Sequence, residues 1–241
     1  MIYARAFFDL QLEFAAAVSA LGGLAPERAL LEYTNLYIRF GLGRAFDPAH
    51  PGWQEYLAGL RDATDPGAWT HAFSLKRSPG MAAPGLVATF GCFSYALLGG
   101  DRLRLHFHNA EPDDHSPLAL DRREEGRAEL AALFAHVERA ERRPLVVIGA
   151  SWLYHLEAYR RLFPPAYLAT AQVLHGRFQH MPLWGQFVDR RGMLREEGAR
   201  QLRELVHGLT SLEGLDRCFP LSVLRLEAPV GEFYDFYVGR P

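Results

Sequence analysis

The chain has 241 residues, 49% of them hydrophobic and 22% charged, as in an ordinary globular protein; a disordered, collagen-like or disulfide-stapled chain is excluded. Its 26 basic and 28 acidic residues leave a formal charge of −2, so no bulk attraction draws it to nucleic acid or to an anionic membrane. Cys92 and Cys218 are its only cysteines, too few for a disulfide framework or a thiolate metal cluster.

Arg5, Asp9 and Glu13 interrupt any apolar leader in the first 20 residues, and the best apolar run, 86–100, is too short to span a bilayer. A cytoplasmic protein is the expectation. Lys76 is the sole lysine among many arginines, the codon bias of a GC-rich bacterial genome.

Phe7, Leu10, Phe14, Val18 and Leu21 recur every three or four residues and predict an amphipathic helix stopped by Gly22 and Gly23. Pro26 starts a second helix with Leu30, Tyr33, Tyr37 and Phe40 inward. A third buries Trp53, Tyr56, Leu57 and Leu60 and breaks at Asp65-Pro66-Gly67. Residues 72–76 read as a strand. Residues 86–95 are apolar on both faces and predict one central strand. Gly99-Gly100-Asp101 is a hairpin turn signal, and residues 102–108 alternate strictly, with Leu103, Leu105 and Phe107 on one face and Arg102, Arg104, His106 and His108 on the other.

Ser116-Pro117 opens a helix reaching about residue 140, followed by a short apolar strand at 145–149. Ser151 caps a helix to Phe163, ended by Pro164-Pro165. Residues 167–174 read as a strand, 175–192 show no dominant period, 194–209 form a helix, and 223–226 and 233–238 are closing strands. The predicted fold is mixed α+β: a central, mainly antiparallel sheet flanked by helices, with an N-terminal helical layer. A single domain over 1–241 is expected, with the helical layer at 1–65, the sheet core at 66–174 and the closing elements at 175–241.

Four patterns carry chemistry. His106 and His108 share a strand face, roughly 6.5–7 Å apart, and could join His115 or Asp114 on a metal. Arg102 and Arg104 on that face favour an anionic ligand instead, and a solvated outer face is the plain alternative; no metal site is assigned. The turn Gly149-Ala150-Ser151 lies between an apolar strand and a helix start, where backbone N–H groups can meet an anion. It lacks the second glycine of a nucleophile elbow, since Leu153 stands there, so Ser151 is a helix cap or a substrate contact. Cys92, among Phe90, Phe93 and Tyr95, reads as a buried, unreactive thiol. The run Arg123-Glu124-Glu125-Gly126-Arg127-Ala128 is either a glycine-containing loop at a helix start or a solvated stretch of helix.

The spacing R-x-x-G-x-A in that run resembles the pyrophosphate loop of GNAT-type acyltransferases. The order of predicted elements is also similar to that family's: two helices, three antiparallel strands, a helix, a strand, a helix, closing strands. The resemblance implies that acyl-coenzyme A is the co-substrate and that Arg123, Gly126, Arg127 and Ala128 hold its pyrophosphate. It implies attack of an amine or alcohol on the thioester, with His106 or His108 as base and backbone N–H groups near 86–95 polarising the carbonyl. The family's tyrosine acid matches Phe163 in position, so Tyr159 or Tyr167 would supply the hydroxyl. Arg102, Arg104 and Ser151 would contact substrate. The alternatives are a non-catalytic binding or regulatory module with an Arg/His-lined anion-binding face and, more remotely, a histidine-ligated metal hydrolase. Each reading takes a small-molecule ligand, without nucleic acid or membrane, and is compatible with a homodimer.

Overall fold

The computed structural model describes residues 2–77, 85–108, 115–141, 143 and 145–239. In chain order the elements are helices α1 (Arg5–Gly22), α2 (Pro26–Tyr33), α3 (Leu36–Arg39), α4 (Pro51–Asp62) and α5 (Pro66–Lys76), then strands β1 (Leu86–Phe90), β2 (Phe93–Leu98) and β3 (Arg102–Phe107). Next come α6 (Arg123–Ala140), β4 (Val146–Ser151), α7 (Glu157–Arg160), α8 (Pro165–Leu168), β5 (Gln172–Val173), α9 (Glu196–His207), β6 (Leu224–Pro229) and α10 (Gly231–Val238). The fold is mixed α+β, with one mostly antiparallel sheet flanked by helices. No single helix among the described residues is long and apolar enough to cross a membrane.

The chain divides into two compact units, Met1–Pro84 with His175–Ser222 and Gly85–Leu174 with Val223–Pro241, where one domain was expected. The stretch 175–222 belongs with the N-terminal helices and not with the closing strands.

The first unit is helical. Trp184, fully buried, meets Phe7, Phe14, Phe187 and Phe219 edge-on or tilted, at centroid distances of 5.2–6.5 Å. A second aromatic group joins Phe40, Trp53, Tyr56 and Phe73. Residues 72–76, read as a strand, are the end of α5. The Asp65-Pro66-Gly67 break also starts that helix: the Asp65 carboxylate accepts the Ala68 N–H at 2.9 Å and Pro66 takes the first helical position.

The second unit is built on a sheet of order β1-β2-β3-β4-β6-β5. All neighbours are antiparallel except β3 and β4, which the α6 crossover joins, as a parallel pair requires. The expected single strand over 86–95 is a hairpin. Gly91 turns the chain with φ +55°, and the Glu129 carboxylate fills the space a side chain there would need, accepting the Cys92 N–H at 2.9 Å. Cys92 is 2% exposed, in the turn and not mid-strand. The Gly99-Gly100-Asp101 turn joins β2 to β3, with Phe93 opposite Phe107 and Leu98 opposite Arg102.

Four segments differ further from the expectation. The helix read from Ser116 begins as α6 at Arg123, after a single 3-10 turn at Leu120–Arg122, and Ser116 caps only the local turn, accepting the Leu118 N–H. Residues 151–163 break into a 3-10 turn and α7, and 167–174 into the end of α8 and β5. Residues 233–238 are α10: Phe233 and Tyr237, one helical turn apart, both stack on Phe134, at 4.5 and 5.5 Å.

Candidate functional site

Strand β3 keeps its predicted faces. Leu103, Leu105 and Phe107 point into the core shared with Leu130 and Phe134 of α6. Arg104 and His106 lie on the opposite face, half-buried, beside Ala96 and Ser94 of β2. Burial pushes the Arg104 guanidinium and the His108 imidazole down from their usual ranges. Arg102 is exposed at the far end of the strand, four residue pairs from His106 along the ladder. The Arg/His-lined face therefore exists. Among the described residues no three His, Cys, Asp or Glu side chains converge as a metal site; Asp114 lies outside those residues.

The sheet's unusual feature is where β3 and β4 separate. Their ladder runs only through Arg102, Leu103 and Arg104 opposite Val146, Val147 and Ile148. Strand β3 continues to Phe107 and β4 to Ser151, while β4 stays paired with β6 as far as Ser151 opposite Leu224. The carboxyl ends of the parallel strands thus part, and such crevices are where open α/β sheets accept ligands.

Strand alternation identifies the backbone groups this leaves. The Val146 N–H donates to Asp101 O at 2.7 Å, so the amides of Val146, Ile148 and Ala150 face β3. The His108 N–H donates to Cys92 O at 2.9 Å, on the β2 side, so the Phe107 amide faces β4. Beyond the last paired residues, the Phe107 N–H lies on the β4 side of its strand and the Ala150 N–H on the β3 side of its own. Ala150 is exposed. These replace the N–H groups expected near 86–95, which lie along the β1–β2 hairpin.

Two tyrosine hydroxyls lie against β4 on the core side of the sheet. The Tyr154 and Tyr167 hydroxyls are 2.8 Å apart, and both press on Gly149, where a Cβ would overlap them. A side chain at 149 would displace the pair, so glycine is required there by close approach. Burial holds both phenols protonated, well above the ordinary tyrosine range.

Tyr159, expected as a catalytic acid, is 3% exposed and packs against Phe93, Phe107, Tyr154 and Phe163. It lies with Tyr154 and Tyr167 on the core side of the sheet, whereas His106 lies on the other face. Phe163 is buried in the same cluster. Ser151 accepts the Leu153 N–H at 3.1 Å and acts as a cap.

The hexad 123–128 is helical and forms the first six residues of α6. Gly126 faces inward, its open side 3.5 Å from Leu162, so it packs the helix against the core. Arg127 lies over the Phe236 ring at 4.8 Å, Ala128 is exposed, and Arg123 is exposed at the helix start. The sequence analysis singled out neither Tyr154 nor the Phe107 and Ala150 amides. The Gly149-Ala150-Ser151 turn was the available signal. No protein-family model, curated protein or solved structure matches the chain.

Proposed function

We propose that the second unit transfers an acyl group from an acyl-coenzyme A thioester to a small amine or alcohol. The parting of β3 and β4 carries this reading. It leaves the Phe107 and Ala150 N–H groups on the facing sides of two strands beyond their last paired residues, where both could be offered to a carbonyl oxygen as it gains charge. The element order from β1 to β6, with three antiparallel strands, a helix, a parallel strand, helices and closing strands, supports the resemblance to GNAT-type acyltransferases.

In this mechanism the thioester carbonyl lies between the Phe107 and Ala150 N–H groups. The nucleophile attacks the carbonyl carbon, and His106, on the face opposite α6, takes its proton. The C–S bond then breaks, and the Tyr154–Tyr167 hydroxyl pair protonates the departing thiolate. The phenol regains its proton from protonated His106 through solvent, so the proton taken from the nucleophile ends on the coenzyme A thiol. In this reading Gly126 serves to pack α6 against the core and the pyrophosphate is met by Arg123, at the positive end of α6.

A non-catalytic module that binds the same ligand is the second reading, favoured by the helical state of 123–128. Release of coenzyme A thiol from acetyl-coenzyme A, measured against a panel of amines, separates the two. Turnover that falls in His106→Gln and in Tyr167→Phe supports the transferase. Stabilisation by acetyl-coenzyme A without turnover supports the binding module. Neither turnover nor stabilisation at about 1 mM ligand contradicts both.

A further inference from the structure

The first unit contains a cleft of about 690 Å³ whose lining includes Arg28, Leu31, Glu32, Trp53, Leu57 and Arg61, with Arg177 from the other stretch of the unit. A hollow of about 430 Å³ shares Arg28, Glu32 and Arg177 with it. The Glu32 side chain is only 9% exposed, and a carboxylate so placed needs counter-charge. It receives the Arg28 Nε at 3.0 Å and the Arg177 Nε and Nη2 at 3.0 and 2.9 Å, all on one oxygen. One buried carboxylate therefore fixes two guanidiniums drawn from distant parts of the sequence.

Arg61 is a third guanidinium on this cleft. It is exposed and has no hydrogen-bond or ion-pair partner among the described residues. Glu27 also lines the cleft, so three guanidiniums face two carboxylates and an excess positive charge remains. The floor is apolar, since Leu31, Trp53 and Leu57 are buried side chains.

The wall carrying Arg177 is held in an uncommon conformation. Among the described residues the non-glycine positions with positive φ are Phe46 and Phe178, at 48° and 67°. Their rings stack on each other at 4.3 Å, and the Arg177 guanidinium covers the Phe178 ring at 4.6 Å. Backbone left-handed at a bulky residue persists only where the surroundings over-determine it, and such positions gather at ligand sites.

We propose that this cleft binds a small molecule bearing an oxyanion, a carboxylate or a phosphate, on an apolar body. Arg61 grips the oxyanion together with the outward N–H groups of Arg28 and Arg177, whose geometry Glu32 has already set. The apolar body rests on Leu31, Trp53 and Leu57. The site is distinct from the opening in the second unit and does not depend on acyl transfer.

The test titrates the full-length protein by calorimetry and thermal melting with benzoate, phenyl phosphate and inorganic phosphate, each to about 10 mM. Saturable binding of one equivalent is expected, tighter for benzoate or phenyl phosphate than for inorganic phosphate. Whether benzoate or phenyl phosphate binds better decides between the two oxyanions. Arg61→Ala should weaken binding about tenfold or more while leaving the ligand-free melting temperature and the response to acetyl-coenzyme A unchanged. Arg61→Lys should recover part of the loss. The proposal is overturned if none of the three probes binds saturably, if Arg61→Ala binds as well as the parent, or if inorganic phosphate binds as tightly as phenyl phosphate.

Discussion

The two units solve the burial of polar groups in opposite ways. In the first, a charged carboxylate, Glu32, is buried and neutralised by arginines reaching it from residues 28 and 177. In the second, the polar groups beside the opening are uncharged phenols, Tyr154 and Tyr167, that satisfy each other. The first arrangement fixes cations around a cleft. The second stores protons next to exposed backbone donors. A charged cluster suits recognition of an anion, whereas paired phenols hold their protons in a buried site, and the anion cleft and the acyl transfer proposed above rest on this contrast.

The largest expected effects test whether each unit depends on its own aromatic core. Trp184→Ala in the first and Phe134→Ala in the second each remove a ring with no exposed surface, and each should cost about 3–5 kcal/mol in chemical denaturation. A loss below about 1 kcal/mol at either site would mean that the packing described there is not what holds that unit.

The phenol pair is the next test. Tyr154→Phe removes the 2.8 Å partner of the buried Tyr167 hydroxyl and should cost about 1–3 kcal/mol, while replacing both tyrosines should cost less than the sum of the single losses. Strictly additive losses would show that the 2.8 Å contact between them contributes no coupling.

Two glycines sharpen the comparison within the second unit. Gly149→Ala drives a methyl into the Tyr154 and Tyr167 hydroxyls and should destabilise by about 1–3 kcal/mol. Gly126→Ala meets Leu162 at ordinary contact distance inside α6 and should stabilise by up to about 1 kcal/mol. Melting temperatures that move in the same direction for both would refute this placement of the hexad.

The smallest effect is a pH dependence in the first unit. His180 is 5% exposed, stacks on Tyr33 at 5.5 Å and bonds Asp216 at 2.8 Å. Burial pushes its imidazole below the usual histidine range, and Asp216 only partly opposes this. The unfolded chain then binds the proton more readily. This contribution to stability is full above the unfolded pKa of about 6.5 and declines as pH falls from there towards the folded value. Denaturation of the parent and of His180→Gln between about pH 5 and 8 checks the sign. A steeper acid loss in the variant would contradict it.

Much of the sheet was legible because strand faces are written at period two. The alternation of β3 fixed Arg104 and His106 on one face and Leu103 and Leu105 on the other, and the Gly99-Gly100-Asp101 turn located the hairpin. Segments with several local readings were misread. The aromatic run at 233–238 has strand-like composition, but Phe233 and Tyr237 are spaced to stack on one helix-borne ring. Gly91 concealed a turn inside an apolar run, because its conformation is held by Glu129, distant in sequence. The cleft was illegible for the same reason. Glu32 and Arg177 are separated by 145 positions, and the stretch around Arg177 and His180 has no period from which to infer a partner. The opening was half-legible: Gly149-Ala150-Ser151 stood out, but that β3 parts from β4 is a property of pairing and not of composition.

The most direct test of the account is amide hydrogen exchange at Phe107 and Ala150, with and without acetyl-coenzyme A. Both N–H groups face the opening beyond the last β3–β4 ladder bond, so both should exchange readily in the free protein and slow together when the thioester carbonyl takes them as donors. Protection already present without ligand, or exchange at both positions unchanged at a ligand concentration that saturates the protein, would contradict it.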